Sequence, residues 1–570
     1  MIYILRFFII AFFISLSGYI KAEDSHLNVK TSEAKKRIDT YINQLLVNYQ
    51  MPGYSIAVTS EDSLIYVKSY GFSDLKLHKK ATDQTLFQIG SITKSFTAIA
   101  LMQLYDTGKF DPHKPISDYL NWFDVVDEQG SKVTGHHLLT HRAGIQAGLD
   151  DLYGSPSMAI YAGQLKSYGK LGKQFNYSNI GYVVLHLLIE HLSGLSYQQY
   201  LEKHILQPLE MTDTQAAITL DSRSKQAIGY AYPFDNKPHH RSRNLIEVGL
   251  FEYRMGDGSI LSTASDMANY MQMLLGDGTR NGIKIVSKEA FDLFTGISNS
   301  AKKQSWYQYG ISVSKSEGNY SLSHGGGMVG FSSDMIVDKA KNTGVYVATN
   351  TPIAYHEGVT NYVFDVFESL KNDTSIPEIP SIARKKNKSK ADDYVGKFQS
   401  TDGQQIEIKA VKQGLKIVDN EKLIHLEYVR GDIFQSLLKG YDRYYWEFKI
   451  DKDQNQSKLI YGDKVFYSKN FKGQTEYKFP KEWLAFIGVY RSYSPWFPYL
   501  EIIIREGKLI AITGFGGETV FREIALFPID SNTFKIDFMD SIEQLKFEKS
   551  NYAHSLIASW SGHKFYWTDE

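Results

Sequence analysis

The 570-residue sequence predicts an α+β domain followed by a β-rich region built from two repeats, and three observations carry that expectation. From about Thr31 to Leu370, strand-like and helix-like periods mix, with strands at both ends and helices between, so the terminal segments of this stretch should share one sheet. Residues 372–392 then break the pattern with two prolines and a basic run, as a linker does. Beyond them the helical period disappears and the sequence repeats itself.

The first 22 residues read as an export signal. Arg6 precedes an uncharged apolar run from Phe7 to Ile20, and Lys21-Ala22 precedes acidic Glu23-Asp24. The run is shorter than the ~20 residues that span a bilayer, which fits cleavage after Ala22 better than an uncleaved anchor. A soluble protein outside the cytoplasm, periplasmic or secreted, is expected, with no membrane span after cleavage. Lys+Arg and Asp+Glu both number 63, so no global field favours nucleic acid. The local run Arg384–Lys390 is expected to be solvated linker. Cysteine is absent, which excludes disulfides, thiol nucleophiles and cysteine-held metals together.

Residues 23–371 form the expected α+β domain. "YSIAVTS" and "SLIYVKSYG" (54–60 and 63–71) predict a hairpin. "SITKSFTAIALMQLYDTG" predicts a helix opening near Ser91 and closing at Gly108, apolar nearly all round and therefore buried. "NIGYVVLHLLIEHLSG" and "TASDMANYMQMLLGDG" predict two further helices, each ending at a glycine. "GVYVATN" (344–350) predicts a strand with a helix after it. In the β-rich part, 393–480 and 481–570 are the two units: "YVGKFQS" at 394 matches "FIGVYRS" at 486, and "GDKVFYS" at 462 matches "SGHKFYW" at 561. The units should make one barrel or a stacked pair, with Trp446, Tyr490 and Trp567 as barrel packing.

The chemistry centres on Ser91 and Lys94. Spacing i, i+3 on a helix puts an amine beside a hydroxyl, and an uncharged amine held in an apolar helix is a base. The hydroxyl at a helix N-terminus also meets free N–H groups that favour developing negative charge. A serine so placed can form an acyl-enzyme. Other S-x-x-K matches, at Ser32/Lys35, Ser167/Lys170 and Ser312/Lys315, lie in polar surroundings that give no such reason. Two later segments supply partners. "FNYSNIGY" offers Tyr177 as a proton shuttle and Asn179 as a positioner. "YSLSHGGGMVGFSSDMIV" (320–337) offers His324 followed by Gly325, Gly326 and Gly327, where backbone can approach closely. An extended substrate could pair there, with its carbonyl oxygen between the N–H of Ser91 and that of a glycine, Gly327 first among them.

"FQIGSITKSFTA", "YSN" and "HGGG", in this order, resemble the three active-site elements of the serine penicillin-recognising family, which includes class C β-lactamases, D-alanyl-D-alanine carboxypeptidases, D-aminopeptidases and related esterases. "HHLLTHRAGI" and "GDGSILSTASDMANYM" resemble its connecting segments. The resemblance implies an antiparallel sheet flanked by helices, Ser91 as nucleophile, Lys94 as its base, Tyr177, Asn179 and His324 as partners, and no cofactor or metal. It implies a small peptide, amide or ester substrate, peptidoglycan-derived fragments among them. The third element departs from the lysine usual in the β-lactamases: histidine resembles the carboxypeptidase and D-aminopeptidase branches and loses a fixed positive charge near neutral pH. The C-terminal units resemble the lipocalin-like or barrel appendages of some peptidases of the family.

Peptidase or amidase action on D-amino-acid-containing peptides is thus expected first, with an esterase or β-lactamase as alternatives. A non-catalytic penicillin-binding sensor or wall-binding protein is the alternative of another class. His137 and His141 do not make a zinc hydrolase motif, because position 138 is leucine and not glutamate. They are expected as structural histidines under the site. Loops 146–172 and 230–256 are expected to wall it.

Overall fold

The computed structural model describes residues 30–146, 161–299, 304–316, 319–352, 356–382, 391–412, 414–451, 456–514, 522–536, 542–550 and 556–569. The expected export signal, the basic run of the linker and most of loop 146–172 lie outside these residues.

The predicted hairpin forms β1 (Gly53–Thr59) and β2 (Leu64–Asp74), followed by the short β3 (Lys79–Lys80). β4 (Ser305–Tyr307), β5 (Ser312–Ser316), β6 (Asn319–Met328), β7 (Phe331–Asp338) and β8 (Thr343–Thr349) complete one antiparallel sheet of order β4-β5-β6-β7-β8-β1-β2-β3. β8 pairs with β1 from Tyr54↔Thr349 to Thr59↔Gly344, so the two ends of the domain do share a sheet. β1 and β8 are buried on both faces, as their unbroken apolar character requires.

On one face lie α1 (residues 30–48) and α5 (His356–Lys371), closing a core around Ile38, Leu45, Val363 and Phe367. On the other lie α2 (Thr93–Asp106), α3 (Asn179–Ser193) and α4 (Ala264–Leu275). α2 is buried on nearly every side, as its sequence predicts. α3 ends at Gly194 in the left-handed conformation (φ 72°), where a side chain would be strained. α4 also ends at a glycine, Gly276, but at φ −85°. What forces glycine there is contact, because a Cβ would overlap the Thr279 carbonyl.

The first part of the linker is not a free tether. Arg37 donates to the carbonyls of Ile376 and Pro377 (3.0 Å each), and Ile376, Ile379 and Ile382 pack on the α1–α5 core. The β-rich units do not combine into one barrel. Each closes separately as eight strands, and the repeated segments are the closing strands: Gly396–Ser400 pairs with Lys464–Ser468, and Gly488–Arg491 with His563–Thr568. Both interiors are filled by side chains, Trp446 in the first and Tyr490 in the second. Trp567 departs from the packing expectation. It is 40% exposed, its indole lying where a side chain on Gly488 would sit.

Loop 230–256 is gripped by both barrels. Asp442 of the first takes Lys237 (2.8 Å) and Arg243 (3.1 Å), Glu427 pairs with His240 (2.7 Å), and Arg491 of the second pairs with Asp235 (2.8 Å). Asp442 is buried and holds both Lys237 and Arg243, so removing it strands two half-desolvated cations. Asp442→Ala should lower stability by about 1–3 kcal/mol and open residues 232–243 to limited proteolysis, read by thermal unfolding and fragment mass.

Candidate active site

Ser91 sits in a single 3₁₀ turn (Gly90–Ile92) that runs directly into α2. Two short strands position the turn. Phe87–Gln88 pairs with Leu261–Ser262, and the Ile89 N–H donates to the Ile260 carbonyl at 3.0 Å. Lys94, one turn on, is fully buried. Its Nζ donates to Ser91 Oγ at 3.1 Å and to the main-chain carbonyl of Asp257 at 2.8 Å, and it lies over the rings of Tyr177 (4.9 Å) and Tyr182 (5.6 Å). The Asp257 carbonyl is itself fixed. Thr97 Oγ1 donates to Gly256 O at 2.5 Å, and Gly256 packs so tightly on Thr97 and Tyr197 that a side chain there would collide.

Tyr177 ends the segment before α3, and Asn179 opens that helix two residues later. Ser178 between them is the N-cap, its side chain accepting from the Gly181 N–H while its own N–H donates to His141 Nδ1 at 3.0 Å. His141 stacks on Tyr177 with ring centroids 4.2 Å apart and holds a left-handed backbone, φ 54°. Burial pushes its imidazole well below the ordinary range, and the nearby charges of Lys94 and His324 add to the shift.

His324 lies on β6 beside the same group, with Tyr177 6.4 Å away between ring centroids. Its Nδ1 is 2.6 Å from the Gly325 carbonyl, which can only accept, so Nδ1 carries the proton. Nε2 then accepts from Tyr307 OH at 2.8 Å. Burial first, and then the Lys94 charge, push His324 down to about 4. It is therefore neutral at physiological pH.

The three glycines after His324 have different jobs. A Cβ on Gly326 would overlap the Ile89 carbonyl oxygen and lie 2.5 Å from Ser333 Oγ, so Gly326 lets β6 press against the nucleophile's turn. Gly90, at φ 52°, fits the same contact from the other side, with Gly327 N 2.7 Å from its would-be Cβ. Gly325 meets only ordinary contacts and Gly327 faces open space. The sequence expectation that glycines admit a substrate thus applies to Gly327, while Gly326 admits the protein's own turn.

Contacts bring Ser91, Lys94, Tyr177, His324 and the glycines of β6 together, while Asn179 is placed by its position at the first residue of α3, two after Tyr177. His137 and His141 serve separate partners, Thr134 and Ser178. Among the described residues, no three His, Asp or Glu side chains gather at metal-binding spacing. Sequence reasoning missed Tyr307, Tyr182 and the Asp257 carbonyl, and placed His141 beneath the site when it stacks on Tyr177. Tyr182 and Asp257 stand inside the quoted motif segments "FNYSNIGY" and "GDGSILSTASDMANYM". Tyr307 has no signal of its own.

The Beta-lactamase family model matches residues 38–365, the part of the chain that carries this whole constellation. The chain belongs to the Beta-lactamase family. Among its relatives, Protein flp of Staphylococcus aureus (strain MW2) is 24% identical over 341 residues, 57% of this chain and 65% of that protein. Penicillin-binding protein 4* of Bacillus subtilis (strain 168) is 25% identical over 459 residues, 75% of this chain and 97% of its own. The octameric penicillin-binding protein homologue from Pyrococcus abyssi shares the fold, with a TM-score of 0.52 at 24% identity over 76% of this chain and 99% of that one. Among the described residues, no helix is long and apolar enough to cross a membrane.

The glycine contacts yield a paired test. Gly326→Ala must displace the turn that carries Ser91, and should lower kcat by about 10²-fold and destabilise the fold by about 1–3 kcal/mol. Gly327→Ala keeps its N–H and meets open space, so it should fold and melt like the parent.

Proposed function

We propose that the protein is an exported serine hydrolase that works through an acyl-enzyme, acting as a peptidase or amidase on D-amino-acid-containing peptides of the carboxypeptidase or aminopeptidase type. The observation that carries the hydrolase reading is the 3.1 Å contact between Lys94 Nζ and Ser91 Oγ in a buried position. The Asp257 carbonyl only accepts, so it takes one amine N–H and holds the amine against the serine hydroxyl. Ser91 Oγ then attacks the substrate carbonyl while its proton passes to Lys94. The oxyanion forms between the N–H groups of Ser91 and Gly327, which the Gly90 contact brings close together. Tyr177, beside the amine, relays that proton from Lys94 to the leaving group, which restores both Lys94 and Tyr177. Water then repeats the sequence on the ester, and Ser91 is released.

The D-peptide reading rests on the family resemblance and on the neutral third-motif histidine. An imidazole whose Nε2 accepts from Tyr307 offers no positive charge to a β-lactam carboxylate. The same neutrality withholds a positive charge from the C-terminal carboxylate of a carboxypeptidase substrate, so within this reading it supports the aminopeptidase or amidase branch. It also favours an esterase as second reading, because an ester leaving group carries no carboxylate to be held.

A panel of D-alanyl dipeptides, D-amino amides, p-nitrophenyl esters and penicillins decides among these. D-amino peptides or amides should give the highest kcat/KM, and Ser91→Ala should abolish both turnover and fluorophosphonate labelling. Labelling without turnover on any member would sink the hydrolase reading, and faster turnover of penicillins would sink the substrate ranking. The histidine adds a pH test. A group titrating near pH 4 is protonated only below that value and gives no limb at neutral pH. His324→Gln should therefore leave the shape of the kcat/KM profile between about pH 6 and 8 unchanged, while His324→Lys should raise penicillin acylation relative to D-peptide turnover.

A further inference from the structure

Behind Lys94 lies a carboxyl that the mechanism above does not use. Asp257 is 3% exposed, and its Oδ1 accepts from Tyr253 OH at 2.8 Å. A buried carboxyl is costly unless its charge is compensated, and a fold that keeps one here sets it against something positive. The charged or titratable groups facing it are Lys94 on α2, His186 on α3, Tyr253 and Tyr197. Around Lys94 itself stand Tyr177, Tyr182, His141 and His324, of which His324 and His141 are held neutral. Asp257 is thus the acidic side chain among the groups around the amine, within electrostatic reach and short of ion-pair contact. Burial pushes its carboxyl above the ordinary carboxylate range, and the interactions with Lys94 and with the Tyr253 hydroxyl act against that shift without cancelling it.

The carboxyl is also well braced. Its own main-chain carbonyl accepts from Lys94 Nζ, so one residue supplies both an acceptor for the amine and a charge behind it. Tyr253 stacks on Phe251 (5.7 Å), and Phe251 meets the edge of Trp496 in the second barrel (6.4 Å). Loop 230–256, held by both barrels, ends at this strap.

We infer that Asp257 is a positioning residue for the Lys94 base, its carboxylate stabilising the ammonium that forms when Lys94 takes the Ser91 proton. This rests on the hydrolase reading above. In the step, the Ser91 O–H bond breaks and its proton binds Nζ, the serine oxygen bonds the substrate carbonyl carbon, and the carbonyl π pair moves onto oxygen. Asp257 gains no proton in this step. Its part resembles that of the buried aspartate behind a catalytic imidazole, with the amine as the base. A preplaced charge that meets developing charge in a dry site costs no reorganisation at the moment of reaction, so its effect falls on the rate and not on binding.

The test is Asp257→Asn, which keeps the side-chain shape and the main-chain carbonyl, assayed on the full chain with p-nitrophenyl acetate and by fluorophosphonate labelling rate. Acylation should fall about 10²-fold with KM within about threefold, and the acid limb of kcat/KM should move to lower pH, because losing the negative charge disfavours the protonated base. Wild-type acylation in Asp257→Asn overturns the inference. So does a slow variant with an unmoved limb, which would mark a purely structural carboxyl. If Asp257→Asn does not fold, Tyr253→Phe decides: a kcat about 3–10-fold lower at unchanged KM supports the inference, and a parental kcat overturns it. Failure of the hydrolase reading is distinct, since it would show as turnover that survives Ser91→Ala.

Discussion

The structure depends on an amine that has nowhere to go. Lys94 is wholly buried in a helix that is itself buried, and the fold gives its Nζ two polar neighbours of different kinds: a carbonyl that can only accept and a hydroxyl that can give up a proton. The rings of Tyr177 and Tyr182 lie beside the amine, 4.9 and 5.6 Å from it. The fold's other requirements follow from holding that arrangement. α2 must be apolar all round, the strap at 256–257 must press against Thr97, and β6 must come within contact of the turn at Gly90.

That last requirement explains a pattern that reads ambiguously in sequence. Three consecutive glycines after a histidine look like room for a substrate. In three dimensions one of them makes room for the protein. Gly326 meets Ile89 and Gly90 meets Gly327 across the junction between sheet and helix, which brings β6 against the turn that carries Ser91. Gly327 keeps the open side. The His324 ring is tied between Gly325 and Tyr307, which makes it a neutral, oriented wall of the site.

Much of this was legible in the sequence, for physical reasons that can be named. The all-round apolar character of 93–104 predicted a buried helix, and burial is what set the S-x-x-K match at Ser91 apart from the others in the chain. Strand-like segments at both ends of the domain with helices between predicted a shared sheet, and β1 and β8 do pair. The two C-terminal units announced themselves by repeated strands, which turn out to be the strands that close each barrel. Less was legible where a function depends on contact between distant segments. Nothing local in "SWYQYG" marks Tyr307 as the partner of His324, and nothing in "THRAG" shows that His141 stacks on Tyr177. The sequence could not say whether two strand-rich units close together or separately, since closure depends on register and shear. Nor does composition reveal that Asp442 and Arg491 grip loop 230–256, because ion pairs across domains leave no period in the chain.

The barrels and the catalytic unit therefore form a connected structure, with ion pairs at the loop and aromatic contacts running from Trp496 through Phe251 and Tyr253 to the strap that holds the amine. All of it serves one claim: Lys94 takes the proton of Ser91. The direct measurement is the pre-steady-state acylation rate of Lys94→Met with p-nitrophenyl acetate. Methionine fills the same buried volume without a base. The account predicts a rate lower by about 10³-fold or more in a protein that still folds; a folded Lys94→Met variant that acylates at the parental rate would contradict it.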